Sequence, residues 1–222
     1  SSNFVYFKAV SGSGQVLGAT ERLYFAPAIN TIAPKISSDD NGNLYALAKT
    51  SSLDFIYSNN SGSTWSGYVV VDSGTDQKDL QISSDADGNA YIVWKDEWYQ
   101  GNDFFSTVYF RGVHEYGAVL QEGPVRLETN PYAYNATYPT LASDDNGNVF
   151  VTYLRNQLMH INYSLDEGYT WLNEDIPFSD AVMGFVHNPD TVCDNNGHVY
   201  SVWRHNRDDN PETPADHEYD IY

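Results

Sequence analysis

The stretch "KISSDDNGNLYALAK" (residues 35–49) decides the fold, because the chain repeats it three more times. The copies are "QISSDADGNAYIVWK" (81–95), "TLASDDNGNVFVTYL" (140–154) and "DTVCDNNGHVYSVWR" (190–204). Each copy predicts a strand, a tight turn and a second strand, since Asp and Asn bond their own backbone in turns and Gly adopts the positive φ that a hairpin needs. Similarity at this period indicates a repeat architecture.

Two further strands follow the hairpins. After the first copy they are "LDFIYSNNSGSTWSGYVVV" (53–71). The second strand of each copy is apolar at nearly every position, which favours burial on both faces. Four antiparallel strands recurring about every 45–60 residues predict an all-β fold, a β-propeller of four-stranded blades with about four blades in this chain. The predicted units are roughly 31–75, 76–130, 131–184, and 185–222 joined with 1–30.

The two ends of the chain carry complementary parts of this unit. "NFVYFKAVSGSGQVLGATERLYF" (3–25) aligns with "STVYFRGVHEYGAVLQEGPVRLE" (106–128), which supplies the third and fourth strands of a unit. The last unit supplies its first and second strands. One interpretation is that the ends share a blade and so cover open sheet edges. The other is that the chain is a segment of a larger propeller.

The charge balance excludes some classes of partner. The 222 residues include 30 acidic and 11 basic ones, for a net charge of −19. Nucleic acids and anionic membrane surfaces are bound by basic patches, so neither is an expected partner. No apolar run is long enough for a membrane helix, and we predict no membrane insertion. Low Lys with high Asn, Ser, Thr and Tyr favours an extracellular, cell-surface or periplasmic location. The sequence does not determine an oligomeric state.

A second repeated motif joins the third and fourth strands. "SLDEGYTW" (164–171) and its variant "SNNSGSTW" (58–65) resemble the Asp-box of the bacterial neuraminidase repeat, found in sialidase-like β-propellers. The matching residues are Ser164, Asp166, Gly168, Thr170 and Trp171 in one copy, and Ser58, Asn60, Gly62, Thr64 and Trp65 in the other. The resemblance implies a propeller in which these turns are structural and lie away from the ligand site.

The resemblance also suggests an enzyme, an exo-sialidase or related glycoside hydrolase. Sialidases clamp a sugar carboxylate with three arginines and use a Tyr–Glu pair with an Asp. The Arg-Ile-Pro signature of that family is missing from this sequence. Arg155, Arg204 and Arg207 are the arginines left for a clamp, and they lie in two adjacent units. We therefore assign no catalytic residues, although the enzyme class stays open.

Basic residues recur at one position of the repeat. Lys49, Lys95 and Arg204 each follow the turn glycine by seven residues, and Arg155 follows it by eight. These four residues, the basic collar, are expected where the second strands end, on the face that usually carries a propeller's ligand. A collar of this kind could hold a carboxylate or sulfated sugar. The structural alternative is that each base pairs with an acid of a neighbouring blade.

The segments after the collar offer groups that hold sugars. Asp96, Trp98 and Tyr99 lie in the expected loop "KDEWYQGND" (95–103), and "RHNRDDN" (204–210) adds His205 and Arg207. An exposed aromatic ring can stack on a sugar while polar neighbours bind its hydroxyls.

The sequence therefore predicts a non-catalytic, exported propeller module that binds a glycan or an acidic surface polymer. A structural or adhesive scaffold without a ligand site is the third possibility, and it would show the collar neutralised by acids. We expect no cofactor and no metal. The Asp-rich turns could suit calcium, but they lack the closing Glu of a full calcium loop. Cys193 replaces a serine of the other copies, and we expect a buried small residue there rather than a nucleophile.

Overall fold

Strands account for all the regular secondary structure in the described part of the chain. The computed structural model describes residues 4–25, 32–74, 76–114, 117–129, 135–179, 184–207 and 218–221, with only the backbone described at 32, 184–186, 205–207 and 218–221. The strands are β1 (Val5–Val10), β2 (Val16–Leu23), β3 (Ile32–Ser38), β4 (Leu44–Lys49), β5 (Leu53–Ser58), β6 (Val69–Asp72), β7 (Gln77–Ser84), β8 (Asn89–Gln100), β9 (Asp103–His114), β10 (Val125–Arg126), β11 (Thr137–Ser143), β12 (Val149–Arg155), β13 (Leu158–Ser164), β14 (Ile176–Pro177), β15 (Gly184–Cys193), β16 (Val199–Arg207) and β17 (Glu218–Ile221). No helix long and apolar enough to cross a membrane occurs among these residues.

The strands form antiparallel sheets in chain order. Three sheets have four strands each, β3 to β6, β7 to β10 and β11 to β14. β15, β16 and β17 form a three-stranded sheet, and β1 and β2 form a hairpin. The first strands of successive sheets, β3, β7, β11 and β15, lie side by side. This is the arrangement of propeller blades around an axis, and the predicted fold class is confirmed.

The two ends of the chain lie in separate sheets. β1 pairs with β2, and β17 pairs with the outer edge of β16, from Arg204 to Arg207. A single blade shared by residues 185–222 and 1–30 stays a prediction, since no pairing between these ends occurs among the described strands.

Hydrophobic cores lie between consecutive sheets. Tyr45, Phe55 and Trp94 belong to one buried cluster, and Tyr91 and Phe110 belong to the next. The second strands β4, β8 and β12 contribute side chains from both faces to these cores, as their apolar sequences predict. The prediction is wrong for β16, where Tyr200 is 55% exposed and Val202 is 50% exposed, so that one face of this strand lies open. Each fully buried aromatic side chain stabilises the fold by about 1.5–3 kcal/mol.

Hydroxyl groups join the first strands of neighbouring sheets, β3, β7, β11 and β15, which we call the inner strands. Ser37 and Ser84 lie 2.8 Å apart, Ser83 and Ser143 lie 2.6 Å apart, and Thr140 donates to Thr191 at 2.7 Å. These are the Ser and Thr positions that flank the repeated turn in the sequence. Because the inner strands pack closely, short hydroxyl side chains can satisfy one another there without water.

The Asp at the start of each repeated turn is used by the hairpin itself. Asp39, Asp85, Asp144 and Asp194 each accept two backbone N–H groups of their own turn, at 2.8–3.0 Å. Oδ1 of each of these carboxylates is therefore occupied within its own turn. No group of three or more His, Cys, Asp or Glu placed to hold a metal occurs within the described ranges. Burial, with nearby acids, raises the pKa of the Cys193 thiol to about 11.

Candidate functional site

Four left-handed residues recur at the same place in the inner strands. Ala33, Asp79, Tyr138 and Asn188 have φ of 51°, 52°, 52° and 48°. Each follows a residue paired with the second strand, and the register shifts there by a β-bulge. A left-handed residue other than glycine costs roughly 1–2 kcal/mol. Four equivalent bulges that keep this strain mark the face where the second strands end.

These bulges line a shared cavity, which we name the axial cavity. It has a volume of about 320 Å³ and receives residues from all four inner strands. Its polar and aromatic lining includes Lys35, Asp79, Gln81, Tyr138 and Asn188. A cavity of this size with a few converging polar groups is large enough for one small ligand such as a sugar ring.

A network of ion pairs borders the cavity on one side. Nζ of Lys95 lies 2.8 Å from Asp79 and 2.7 Å from Glu97, and Nζ of Lys78 contacts Glu97 and Asp76. Burial lowers the pKa of Lys95, but the hydrogen bonds to both carboxylates outweigh it and raise the pKa. Burial alone would raise the pKa of Glu97, but its hydrogen bonds to Lys78 and Lys95 lower the pKa overall. Three carboxylates surround two ammonium groups, so this network carries excess negative charge.

The rest of the basic collar is also accompanied by polar or acidic groups where its side chains are described. Arg155 Nη1 lies 2.8 Å from Asp175. Lys49 is buried, donates to the carbonyl of Thr50 at 3.2 Å, and has its pKa lowered by burial, against the opposing effect of Asp54. Arg204 is half-buried.

Two residues of the basic collar, Lys95 and Arg155, are therefore paired with acids, as the structural alternative predicts. The acids belong to their own sheets rather than to neighbouring blades. The side chains of His205 and Arg207 lie outside the described residues, so their predicted roles stay predictions.

Asp96 points to the opposite side of β8 from Lys95, where the charges of Asp72 and Asp76 act on it. Burial raises its pKa to about 6, and the charges of Asp72 and Asp76 add to the rise. The ammonium group of Lys49 opposes the shift. Ionisation of Asp96 therefore destabilises the folded chain, and the acidic groups around it disfavour an anionic ligand.

Replacing Asp96 with Asn tests whether its ionisation destabilises the folded chain. Because its folded pKa of about 6 lies above the unfolded value of ~3.9, ionisation lowers stability above pH 6, and the cost disappears as pH falls below 4. We expect Asp96→Asn to raise the free energy of unfolding by about 1–2 kcal/mol at pH 8, after discounting for partial exposure. Urea unfolding at pH 8 and pH 4 measures this difference. Asp103→Asn, an exposed change on the same hairpin, is the control, and an equal gain at both pH values would contradict the assignment.

The expected loop after Lys95 is a hairpin instead. β8 continues to Gln100 and β9 begins at Asp103, so that Trp98 and Tyr99 lie on a strand. The reason is a set of cross-strand aromatic pairs that stabilise the extended ladder. Trp98 stacks on Phe105 with ring centroids 5.8 Å apart, and Tyr99 contacts Phe104 at 5.3 Å.

The two Ser-x-Asx-x-Gly-x-Thr-Trp turns have matching geometry. They join β5 to β6 and β13 to β14, the outer strands of two sheets. Oδ1 of Asp166 accepts from the backbone N–H of Thr170 at 2.8 Å, and Asn60 accepts from Thr64 at 2.9 Å. The side-chain bond is reversed, since Thr170 donates to Asp166 whereas Asn60 donates to Thr64. The Asn copy is therefore intact.

Sequence reasoning missed the bulge residues Asp79, Tyr138 and Asn188 and, on the β8–β9 hairpin, Phe104. Three of the four bulges carry a proline directly after the left-handed residue, at Pro34, Pro139 and Pro189. A proline at the same position of three of the four repeats was the available signal, because Pro has no backbone N–H to donate and within sheets occurs at bulges and edges.

No protein-family model and no curated protein matches the chain. Solved structures are similar to it over most of its length. A leech intramolecular trans-sialidase is 17% identical with a TM-score of 0.55, over 93% of this chain and 33% of that one. The polysaccharide lyase Uly1 is 8% identical with a TM-score of 0.55, over 98% and 52%. A Bacillus subtilis arabinanase is 14% identical with a TM-score of 0.44, over 93% and 81%. The chain thus spans about a third of the length of the trans-sialidase and about half of the length of the polysaccharide lyase.

Proposed function

We propose that this chain is a non-catalytic glycan-binding module of the sialidase-like group, exported or attached to a cell surface, and that a neutral sugar binds in the axial cavity. The observation that carries the proposal is the cavity itself, where four equivalent bulges bring together Gln81, Tyr138 and Asn188. The trans-sialidase and the polysaccharide lyase that share the fold are named for glycan chemistry. Because the two proteins are only 17% and 8% identical to this chain, they support the general class of ligand, a glycan, and nothing finer.

The charges around the cavity favour a neutral ligand over the acidic one expected from the basic collar. Lys95 is held between Asp79 and Glu97, so its ammonium group has no unshared charge to offer a carboxylate or sulfate. The net charge of the chain is −19, which repels polyanions at low salt. Lys35 also lines the cavity, and with it three lysines balance the three carboxylates of the network, so the site carries no net positive charge. The amide, hydroxyl and aromatic groups of the lining bind sugar hydroxyls and ring faces.

The two alternatives have less support. An exo-sialidase would need Arg155 for its carboxylate clamp, and Asp175 already engages that guanidinium. A scaffold without a ligand accounts for the paired collar, but it gives no reason for four strained bulges around one cavity.

Affinity electrophoresis tests the proposal directly. The strongly acidic chain moves quickly through a native gel, so binding to an immobile polymer shows as slower migration. We expect at least one of dextran, linear arabinan, β-mannan and mixed-linkage β-glucan to slow it, whereas dextran sulfate and polysialic acid do not.

A variant of the cavity completes this test. Asn188→Gly keeps the left-handed backbone and removes the amide, so we expect the slowing to decrease. Asn173→Gly makes the same change at an exposed position of an outer turn, and it should migrate like the unchanged protein. Slowing by the acidic polymers alone would instead return the site to the basic collar. If none of the polymers slows the chain, the scaffold alternative leads.

A further inference from the structure

The hairpin of β8 and β9 extends well past the sheet to which it belongs. The last pair of β7 with β8 joins Gln77 to Asp96, and beyond it residues 97–100 pair only with 103–106. We name residues 97–106 the arm. Its base is fixed, because the carbonyl of Ser106 accepts from the backbone N–H groups of Asn135 at 3.0 Å and Ala136 at 3.3 Å.

The arm has two aromatic faces with different exposure. Trp98 and Phe105 are half-buried and stack on each other on one face. Tyr99 and Phe104 lie on the other face, where Tyr99 is 72% exposed and Phe104 is 39% exposed. One stacked pair already stabilises a two-stranded hairpin. The second pair supports the same ladder, but it leaves most of the Tyr99 ring and part of the Phe104 ring exposed, and two neighbouring exposed rings form a surface on which a ligand can pack.

The exposed face of the arm lies on the same side of β8 as the axial cavity. Side chains alternate along a strand, so Tyr99 shares its face with Lys95 and Glu97. Nζ of Lys95 lies 2.8 Å from Asp79 and 5.8 Å from the ring centroid of Tyr138, and both residues line the cavity. Tyr99 lies four positions along the strand from Lys95, or about 14 Å at ~3.4 Å per residue.

We infer that the Tyr99–Phe104 face is a stacking platform that continues the axial cavity, and that the ligand is a neutral oligosaccharide or polysaccharide rather than a single sugar. The inference rests on the proposed function of the cavity. Aromatic rings stack on the C–H faces of sugars, and the exposed polar residues at the tip, Gln100 and Asp103, can bind hydroxyls. A ligand that reaches both sites must be several sugars long.

A length series tests the inference. Calorimetric titration would compare the disaccharide and hexasaccharide of β-1,4-glucose, β-1,4-mannose, β-1,4-xylose and α-1,5-arabinose. We expect the hexasaccharide of one series to bind at least about tenfold more tightly than its disaccharide, where tenfold corresponds to ~1.4 kcal/mol. In Tyr99→Thr with Phe104→Thr, which keeps residues that favour strands, this advantage should disappear while disaccharide affinity stays unchanged.

The controls separate the platform from the cavity. Tyr169→Thr removes an exposed ring from an outer turn and should retain the advantage of length. Asn188→Gly should weaken both lengths. Equal affinity for both lengths in the unchanged chain would overturn the platform and leave the cavity in place. Loss of binding in the arm variant with no effect of Asn188→Gly would instead overturn the cavity as the primary site. No binding of any probe would overturn both.

Discussion

Gly168→Ala is expected to lower the free energy of unfolding by about 3 kcal/mol, which corresponds to roughly 6–12 °C in Tm for a domain of this size. Gly168 has φ of 83°, where an alanine costs about 1–2 kcal/mol. A Cβ atom added there would also lie 2.2 Å from Cε1 of Phe110. That ring cannot move aside easily, because it is fully buried and contacts both Tyr91 and Trp171.

Gly197→Ala is the matched control for this change. Gly197 has nearly the same φ, 80°, but its Cβ would meet no atom within 4 Å. Only the backbone strain remains, so the expected loss is about 1–2 kcal/mol. Thermal and urea unfolding of both variants measure the difference, which isolates the contact with Phe110. Equal losses in the two variants would show that the turn does not close tightly over that ring.

The repeated turns could be predicted from the sequence because their chemistry is local. Asp39 and Gly42 fix one hairpin within five residues, and the other three copies do the same. Three of the second strands were also predictable, since a continuous apolar run favours a strand buried on both faces, but the similar run in β16 leaves Tyr200 and Val202 exposed. Even the Asn60 variant of the outer turn could be interpreted correctly, because its oxygen makes the same backbone contact as that of Asp166.

The candidate site was less predictable because it depends on contacts between distant residues. The position of Lys95 was visible in the repeat, but its pairing with Asp79 depends on a bulge that re-aims that carboxylate. The stretch after Lys95 has the Gly, Asn and Asp of a loop, and its strands are stabilised by aromatic pairs across the hairpin, such as Trp98 with Phe105. Cross-strand partners of this kind are set by register, which a single sequence specifies weakly.

The largest electrostatic effect is expected at Asp175. This carboxylate is 2% exposed, and it lies 2.8 Å from Nη1 of Arg155, 3.0 Å from Nδ1 of His160 and 2.9 Å from the hydroxyl of Thr129. Asp175→Asn keeps the shape but leaves the guanidinium without its counter-charge in a nearly dry site. Removing one partner of a buried pair typically costs about 3–5 kcal/mol. Since Arg155 keeps a little solvent contact, we expect about 3 kcal/mol, measured by urea unfolding at pH 7.

The pH dependence of this loss identifies its cause. Burial alone would raise the pKa of Asp175. Its hydrogen bonds with His160, Thr129 and Tyr153 lower the pKa, as does the charge of Arg155, and together they hold it well below the usual value. A lowered folded pKa contributes stability that is present above the unfolded pKa of ~3.9 and is lost as pH falls below it. The difference between Asp175→Asn and the unchanged chain should therefore be present at pH 7 and shrink below pH 4.

Two further variants separate charge from packing at this site. Glu174→Gln neutralises the adjacent exposed carboxylate, and we expect its effect to stay within about 0.5 kcal/mol. Arg155→Met should rescue part of the loss when it is combined with Asp175→Asn, because the double variant no longer buries an unpaired charge. A loss that is independent of pH and unchanged by Arg155→Met would mean that Asp175 acts by packing. Rescue by Arg155→Met would show that this collar arginine is held by the fold and is not available to clamp a sugar carboxylate.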